Sequence, residues 1–167
     1  MDAAAYRDYV NILKEELVPA MGCTEPIAIA YAAAVARRTL GRPARRVEVE
    51  ASGNIIKNVK SVFVPNTGGL RGIPAAAAAG MAAGNPDLEL EVLSQIGEAE
   101  QAAIRQYLED TPITVKLAAS PFIFDITIRA WAEEESALVR IVNYHTNIVR
   151  IEKNGQVLKE VEAQAAA

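Results

Sequence analysis

The 167-residue chain is poor in the side chains that staple or metallate small folds, with one cysteine and one histidine. A single thiol excludes an internal disulfide, and one cysteine with one histidine cannot complete a structural zinc site or ligate an iron–sulfur cluster alone. Positive charge is not in excess either. The net charge is −4 and the pI about 5.1, with both signs interspersed, which leaves no basic face for nucleic acid or anionic lipid. No apolar run approaches bilayer length, and Asp2, Arg7 and Asp8 break the opening turns where a signal peptide would be apolar. A cytoplasmic protein whose partners are small molecules or proteins is expected. Also absent are a Ser-His-Asp order, a P-loop and a dinucleotide fingerprint, since Gly68-Gly69-Leu70-Arg71-Gly72 matches neither phosphate motif. What is present is 51% hydrophobic residues, enough for one core and one domain, expected over residues 1–160 with a frayed tail at 161–167.

The chain turns on Met21-Gly22-Cys23-Thr24-Glu25-Pro26. Glycine permits a tight turn, Thr24 and Glu25 are suitable helix-cap residues, and Pro26 fits a first turn. Before it, Tyr6, Val10, Leu13 and Leu17 lie at helical spacing until Pro19; after it, residues 27–40 are apolar nearly all round, as in a helix covered on most sides. Cys23 therefore falls beside a helix N-terminus, where the macrodipole and unpaired N–H groups favour the thiolate. The position equally suits a buried cysteine acting as a small hydrophobe.

Val47, Val49 and Ala51 alternate with Glu48 and Glu50 as a strand, and a second strand is predicted at residues 61–64. Between them runs Ser52-Gly53-Asn54-Ile55-Ile56-Lys57-Asn58, too polar for a core and too apolar for a solvated loop. Pro65-Asn66-Thr67-Gly68-Gly69 then leads through Leu70-Arg71-Gly72-Ile73-Pro74 into an alanine-rich helix. Such a loop either aims several N–H groups at a carboxylate or phosphate, or only turns the chain. Leu88, Leu90 and Val92 alternate as a further strand; Ala99, Ala103, Ile104, Tyr107 and Leu108 follow at helical spacing. The last third reads as an antiparallel meander: residues 113–117, 122–128 and 138–144, then a hairpin turning on Asn154-Gly155. Glu133-Glu134-Glu135 is expected at a solvated hairpin tip. Helices and strands mix without regular alternation, which predicts an α+β fold with a mostly antiparallel sheet.

Four polar clusters lie at ends of predicted elements, where binding groups sit: Cys23-Thr24-Glu25; Ser52 with Asn54, Lys57 and Asn58; the Asn66 to Gly72 loop; and His145-Thr146-Asn147. An unperturbed histidine titrates near neutrality, which would suit His145 to proton transfer; the other reading is a hydrogen-bonded turn residue. Lys57 can bind a carboxylate or remain solvated, and Glu25 can transfer a proton or simply start a helix.

Taken together, Gly22-Cys23-Thr24-Glu25-Pro26, the run from Ser52 to Asn58, Pro65-Asn66-Thr67-Gly68 and His145-Thr146-Asn147-Ile148-Val149-Arg150-Ile151 resemble the N-terminal part of the L-cysteine desulfidase family, related to the iron–sulfur L-serine dehydratases. The resemblance implies an amino-acid lyase that uses a [4Fe-4S] cluster in place of pyridoxal phosphate. It implies Cys23 as active-site acid or base; Glu25 and His145 are further catalytic candidates by their own chemistry. Thr24, Ser52, Asn54, Lys57, Asn58, Asn66, Thr67, Gly68 and Gly69 would hold the substrate. Members of that family are longer, and their cluster cysteines lie in a C-terminal part absent here. A cluster-bearing partner chain or missing domain is therefore implied. The alternative is a non-catalytic module that binds a small amino acid or carboxylate, or assembles a partner.

Overall fold

A computed structural model describes residues 24–164. The predicted helix over residues 2–18, and Cys23 itself, lie outside the described residues. The first described helix, α1 (Thr24–Leu40), starts with Glu25 in its first turn and ends with Arg37 and Arg38 in its last, each sign matched to the helix dipole. Every residue from Ile27 to Ala36 is buried. The near-continuous apolar sequence is explained by two neighbours: one side of α1 packs on the sheet and another on α3 (Gly72–Ala83).

The sheet has six strands, β1 (Arg46–Ala51), β2 (Ile113–Leu117), β3 (Asp125–Ala132), β4 (Glu135–Val142), β5 (Ile148–Lys153) and β6 (Gln156–Glu160), in the order β2-β1-β3-β4-β5-β6. Only β1 and β2 pair in parallel; all other neighbours are antiparallel, so the fold is α+β as the patterning predicts. The crossover that parallel pairing requires is supplied by α4 (Glu98–Asp110), whose Tyr107 hydroxyl donates to the Ala44 carbonyl at 2.6 Å. Burial pushes the Tyr107 pKa up to about 12, so this anchor stays protonated at physiological pH. Strand alternation is followed closely: Val47, Val49, Ala51, Ile126, Ile128, Ala130, Val139 and Ile141 are buried under the helices, while their neighbours face outward. Glu133 and Asn154 take positive φ at the two hairpin turns, the second with Gly155, as primed two-residue turns require.

Two predicted strands take other forms. Residues 61–64 make a single bridge, Phe63 with Arg71, closed by Val64 N–H to Leu70 O and Gly72 N–H to Val62 O. Residues around Leu88 and Leu90 form a 3₁₀ segment (Pro86–Glu91), because Asn85 accepts from Asp87 N–H, Pro86 opens the turn and Asn85 N–H closes back on Val92 O. The run after β1 is a short helix, α2 (Gly53–Val59).

On the outward face, Glu48 accepts from Lys116 at 2.8 Å and from Arg129, its direct cross-strand partner, at 3.1 Å. The Lys116 hydrogen bond is the chief cause that holds the Glu48 pKa below its usual 4.5, with Arg129 adding to it against a smaller burial effect. A carboxylate whose pKa is depressed by folding adds stability above its unfolded value and loses it as pH falls through the folded value. Glu48→Gln is thus expected to flatten the fall in stability below about pH 4.5, read by urea unfolding at a series of acidic pH values. An acid limb identical to that of the parent protein rejects the assignment.

Candidate functional site

The candidate site is set by which elements end together. Ser52 follows β1; its Oγ donates to Ile123 O at 2.6 Å and accepts from Asp125 N–H at 3.2 Å, and its own N–H donates to Asp125 O at 2.9 Å. These bonds fasten the end of β1 to the start of β3. One residue earlier, Phe124 O accepts from Asn143 N–H, and the Phe124 ring meets His145 edge-on with ring centres 4.9 Å apart. The end of β1, the start of β3 and the β4–β5 turn carrying His145 therefore form one end of the sheet.

The C-terminus of α1 lies at the opposite end, where Arg42 pairs with Glu135 at 3.5 Å and Arg45 N–H donates to Trp131 O. A 17-residue helix is about 25 Å long and an eight-residue strand about 27 Å. Because α1 packs along β3, β4 and β5 and also touches α2, its first turn with Thr24 and Glu25 comes to the Ser52–His145 end. Thr24 and Glu25, the α2 run and the His145 turn thus come to the same end, while Cys23 lies outside the described residues. Asn54, Lys57 and Asn58 are exposed on α2 at the same end, and Leu117, Ile123 and Tyr144 form an exposed apolar rim, each 66–69% accessible. Leu117 reaches toward Gly53, since a Cβ there would sit 3.7 Å from its Cδ1.

The fourth cluster is used structurally. Asn66 donates to Leu93 O at 2.9 Å and its carbonyl accepts from Gln101 Nε2 at 3.0 Å. Thr67 is fully buried, its hydroxyl donating to Val64 O at 2.7 Å and accepting from Leu70 N–H at 3.2 Å. Gly68 and Gly69 lie in the same exposed turn, Gly68 against Gln101 and Arg105 of α4. The bonds of Asn66 and Thr67 thus go to Val64, Leu70, Leu93 and Gln101. Ser52 is likewise 4% accessible and committed to β3, so its hydroxyl is a strand clamp.

Sequence reasoning missed the strongest polar pair near this end. Asp125 is buried and accepts a two-pronged hydrogen bond from Arg140, Nε at 3.0 Å and Nη2 at 2.7 Å, and a third from Ser120 Oγ at 2.6 Å. Asp125 holds the Arg140 pKa above its usual value. Alternation in β3 and β4 sends both side chains to the face away from the helices, but only the strand register brings them together.

No group of three or more His, Cys, Asp or Glu that would hold a metal ion occurs among the described residues. With one cysteine in the whole chain, the donor set does not fit an iron–sulfur cluster, and every thiolate but one would have to come from another chain or segment. No helix among the described residues is long and apolar enough to cross a membrane.

Comparison with known proteins corrects the expected family. The chain is similar to a UPF0597 protein of Desulfitobacterium hafniense, 58% identical over 153 residues, covering 92% of this chain and 36% of the relative. UPF0597 proteins of Finegoldia magna (47% identical; 91% and 37% covered) and Treponema denticola (43% identical; 96% and 37% covered) align similarly. These relatives carry the UPF0597 name and no desulfidase name, which overturns assignment to the L-cysteine desulfidase family. The chain spans little more than a third of their length. No protein-family model matches the chain, and no solved structure matches it.

Proposed function

We propose that this chain supplies the substrate-holding part of an enzyme that acts on a small α-amino acid by α,β-elimination, the remainder of the site coming from protein outside it. The observation that carries the reading is the convergence of Thr24 and Glu25, the α2 run and the His145 turn at one end of the sheet, from positions far apart in sequence. The first turn of α1 offers N–H groups and the Thr24 hydroxyl to a substrate carboxylate. His145 or Glu25 removes the α-proton, and Cys23, adjacent in sequence to Thr24, serves as the acid for the leaving group. Loss of the β-substituent, sulfide from cysteine or water from serine, leaves aminoacrylate, which hydrolyses to pyruvate and ammonia. No step is assigned to a metal, since no group of three or more His, Cys, Asp or Glu among the described residues would hold one.

The exposed rim of Leu117, Ile123 and Tyr144 favours a second reading, an assembly module that binds an amino acid without turning it over. The two separate in one experiment. A longer chain joining this sequence to the rest of a UPF0597 relative is purified without oxygen and assayed for pyruvate from L-cysteine and L-serine, with calorimetry alongside. Pyruvate release that falls about 10²–10⁴-fold in Cys23→Ser and His145→Gln supports the lyase. Binding with no pyruvate supports the module, and neither binding nor pyruvate rejects both.

A further inference from the structure

The outward face of the sheet carries a feature that the elimination site does not use. Arg140 on β4 stands directly opposite Arg150 on β5 in the strand register. Like charges in that relation repel, and strands seldom keep them without a reason. Here each is tethered from behind. Arg140 is forked onto Asp125, while Arg150 donates through Nε to Glu152 at 2.5 Å and through Nη1 to Glu160 at 3.1 Å. Those bonds fix both planes and leave Arg140 Nη1 and Arg150 Nη2 with no acceptor among the described residues. Glu152 is the main support of the charge on Arg150, and Arg140 opposes it.

Both arginines line a cavity of about 480 Å³, with Arg129, Ser120 and Thr127 beside them. A second cavity of about 210 Å³, holding Phe122, opens on the other side of the same two arginines. The charged lining of the larger one is Arg129, Arg140 and Arg150 against Glu50, Asp125 and Glu152, so it has no net formal charge. One added negative charge between the two arginines relieves their repulsion; a multiply charged anion meets the surrounding carboxylates.

We propose that the Arg140–Arg150 pair is a binding site for the carboxylate of a small monocarboxylic acid, held between the two guanidinium planes on the face of the sheet away from the helices. With the other nitrogens already committed, Arg140 Nη1 and Arg150 Nη2 supply one donor nitrogen each, one for each oxygen of a carboxylate lying between them. The site uses neither Glu25 nor His145 and does not depend on the elimination reading.

The test is titration of the full 167-residue chain with L-lactate and, separately, inorganic phosphate, followed by amide chemical shifts and calorimetry. Saturable shifts centred on Thr127, Arg140 and Arg150 are expected with lactate, and weaker ones with phosphate. Arg150→Gln, at a partly exposed side chain, should weaken lactate tenfold or more. Glu152→Gln, which releases Arg150 Nε, should strengthen it, and His145→Gln should leave it unchanged. No saturable response to lactate, equal affinity for phosphate, or an affinity unaltered by Arg150→Gln overturns the proposal.

Discussion

Gly80→Ala is expected to cost more than about 3 kcal/mol and to lower the melting temperature by roughly 6–12 °C. A Cβ at this position would sit 2.8 Å from Ala30 Cα, 2.7 Å from the Ala30 carbonyl carbon, and closer still to its carbonyl oxygen. The obstacle is backbone, so no side-chain rotation relieves it. Gly84 lies beside Ala34 as Gly80 lies beside Ala30, so α1 and α3 run in the same direction, and Arg37 closes their far end by donating to Gly84 O at 3.1 Å. Added volume must push the two helices apart along that length. The sheet holds α1 from the other side, so the shift would also open the packing of α1 on β3 and β4. Gly41→Ala is the control, because nothing lies within 4 Å of its Cβ position and only the strain of its positive φ is added. Thermal unfolding of the two variants decides the matter. A Gly80→Ala protein no less stable than Gly41→Ala would mean that the helices are not in backbone contact.

The same helix pair explains what patterning can and cannot reveal. The alanine run of α3 and the apolar ring of α1 declare two buried helices, because only a helix covered on both sides has no use for a polar stripe. β1, β3 and β4 are equally plain, since each has one helix-covered face and one wet face, while β6 is exposed along its whole length and is declared by Asn154-Gly155, which fixes the last hairpin. Residues 88–92 misled because leucine and glutamate alternate there as in a strand, whereas the deciding bonds, Asp87 N–H to Asn85 Oδ1 and Asn85 N–H to Val92 O, are local turn chemistry. The parallel pairing of β2 with β1 is invisible in β2 itself. It follows from the crossover through α4.

For the candidate site, sequence picked out polar residues at element ends but not their duties. Ser52 and Thr67 look like ligand-binding hydroxyls, yet each is buried and bonded to the backbone beside it. Whether a hydroxyl faces a ligand or its own chain depends on the path of the next turn, which composition does not encode. The convergence of Glu25, α2 and His145 needs the strand order, and the strand order was beyond the pattern. The Arg140–Asp125 pair was hidden for another reason. Each residue occupies an ordinary outward position in its strand, and only the register Asp125 opposite Val142, two residues beyond Arg140, brings the charges together diagonally.

Arg140→Met is expected to cost about 3 kcal/mol, the lower part of the range for breaking a buried ion pair, because Arg140 is itself about a third exposed and water replaces some of what it gives. The loss falls on its partner. Asp125 has a side chain only 4% accessible, and without Arg140 its carboxylate keeps the Ser120 hydroxyl as its one side-chain donor among the described residues. The backbone of Asp125 is meanwhile clamped by Ser52 through N–H and carbonyl, so the carboxylate cannot swing out to water without pulling β3 from β1. Asp125→Asn keeps the shape and removes the charge; it should cost less, since Arg140 can turn to solvent while the amide oxygen still accepts from Ser120. In the double variant Asp125→Asn with Arg140→Met no uncompensated charge remains buried, so its cost should fall short of the sum of the single costs by 1 kcal/mol or more, to order of magnitude. Urea unfolding of the four proteins measures that difference directly. Strict additivity would show that Asp125 and Arg140 contribute independently, and that the clamp at this end of the sheet is the Ser52 hydroxyl alone.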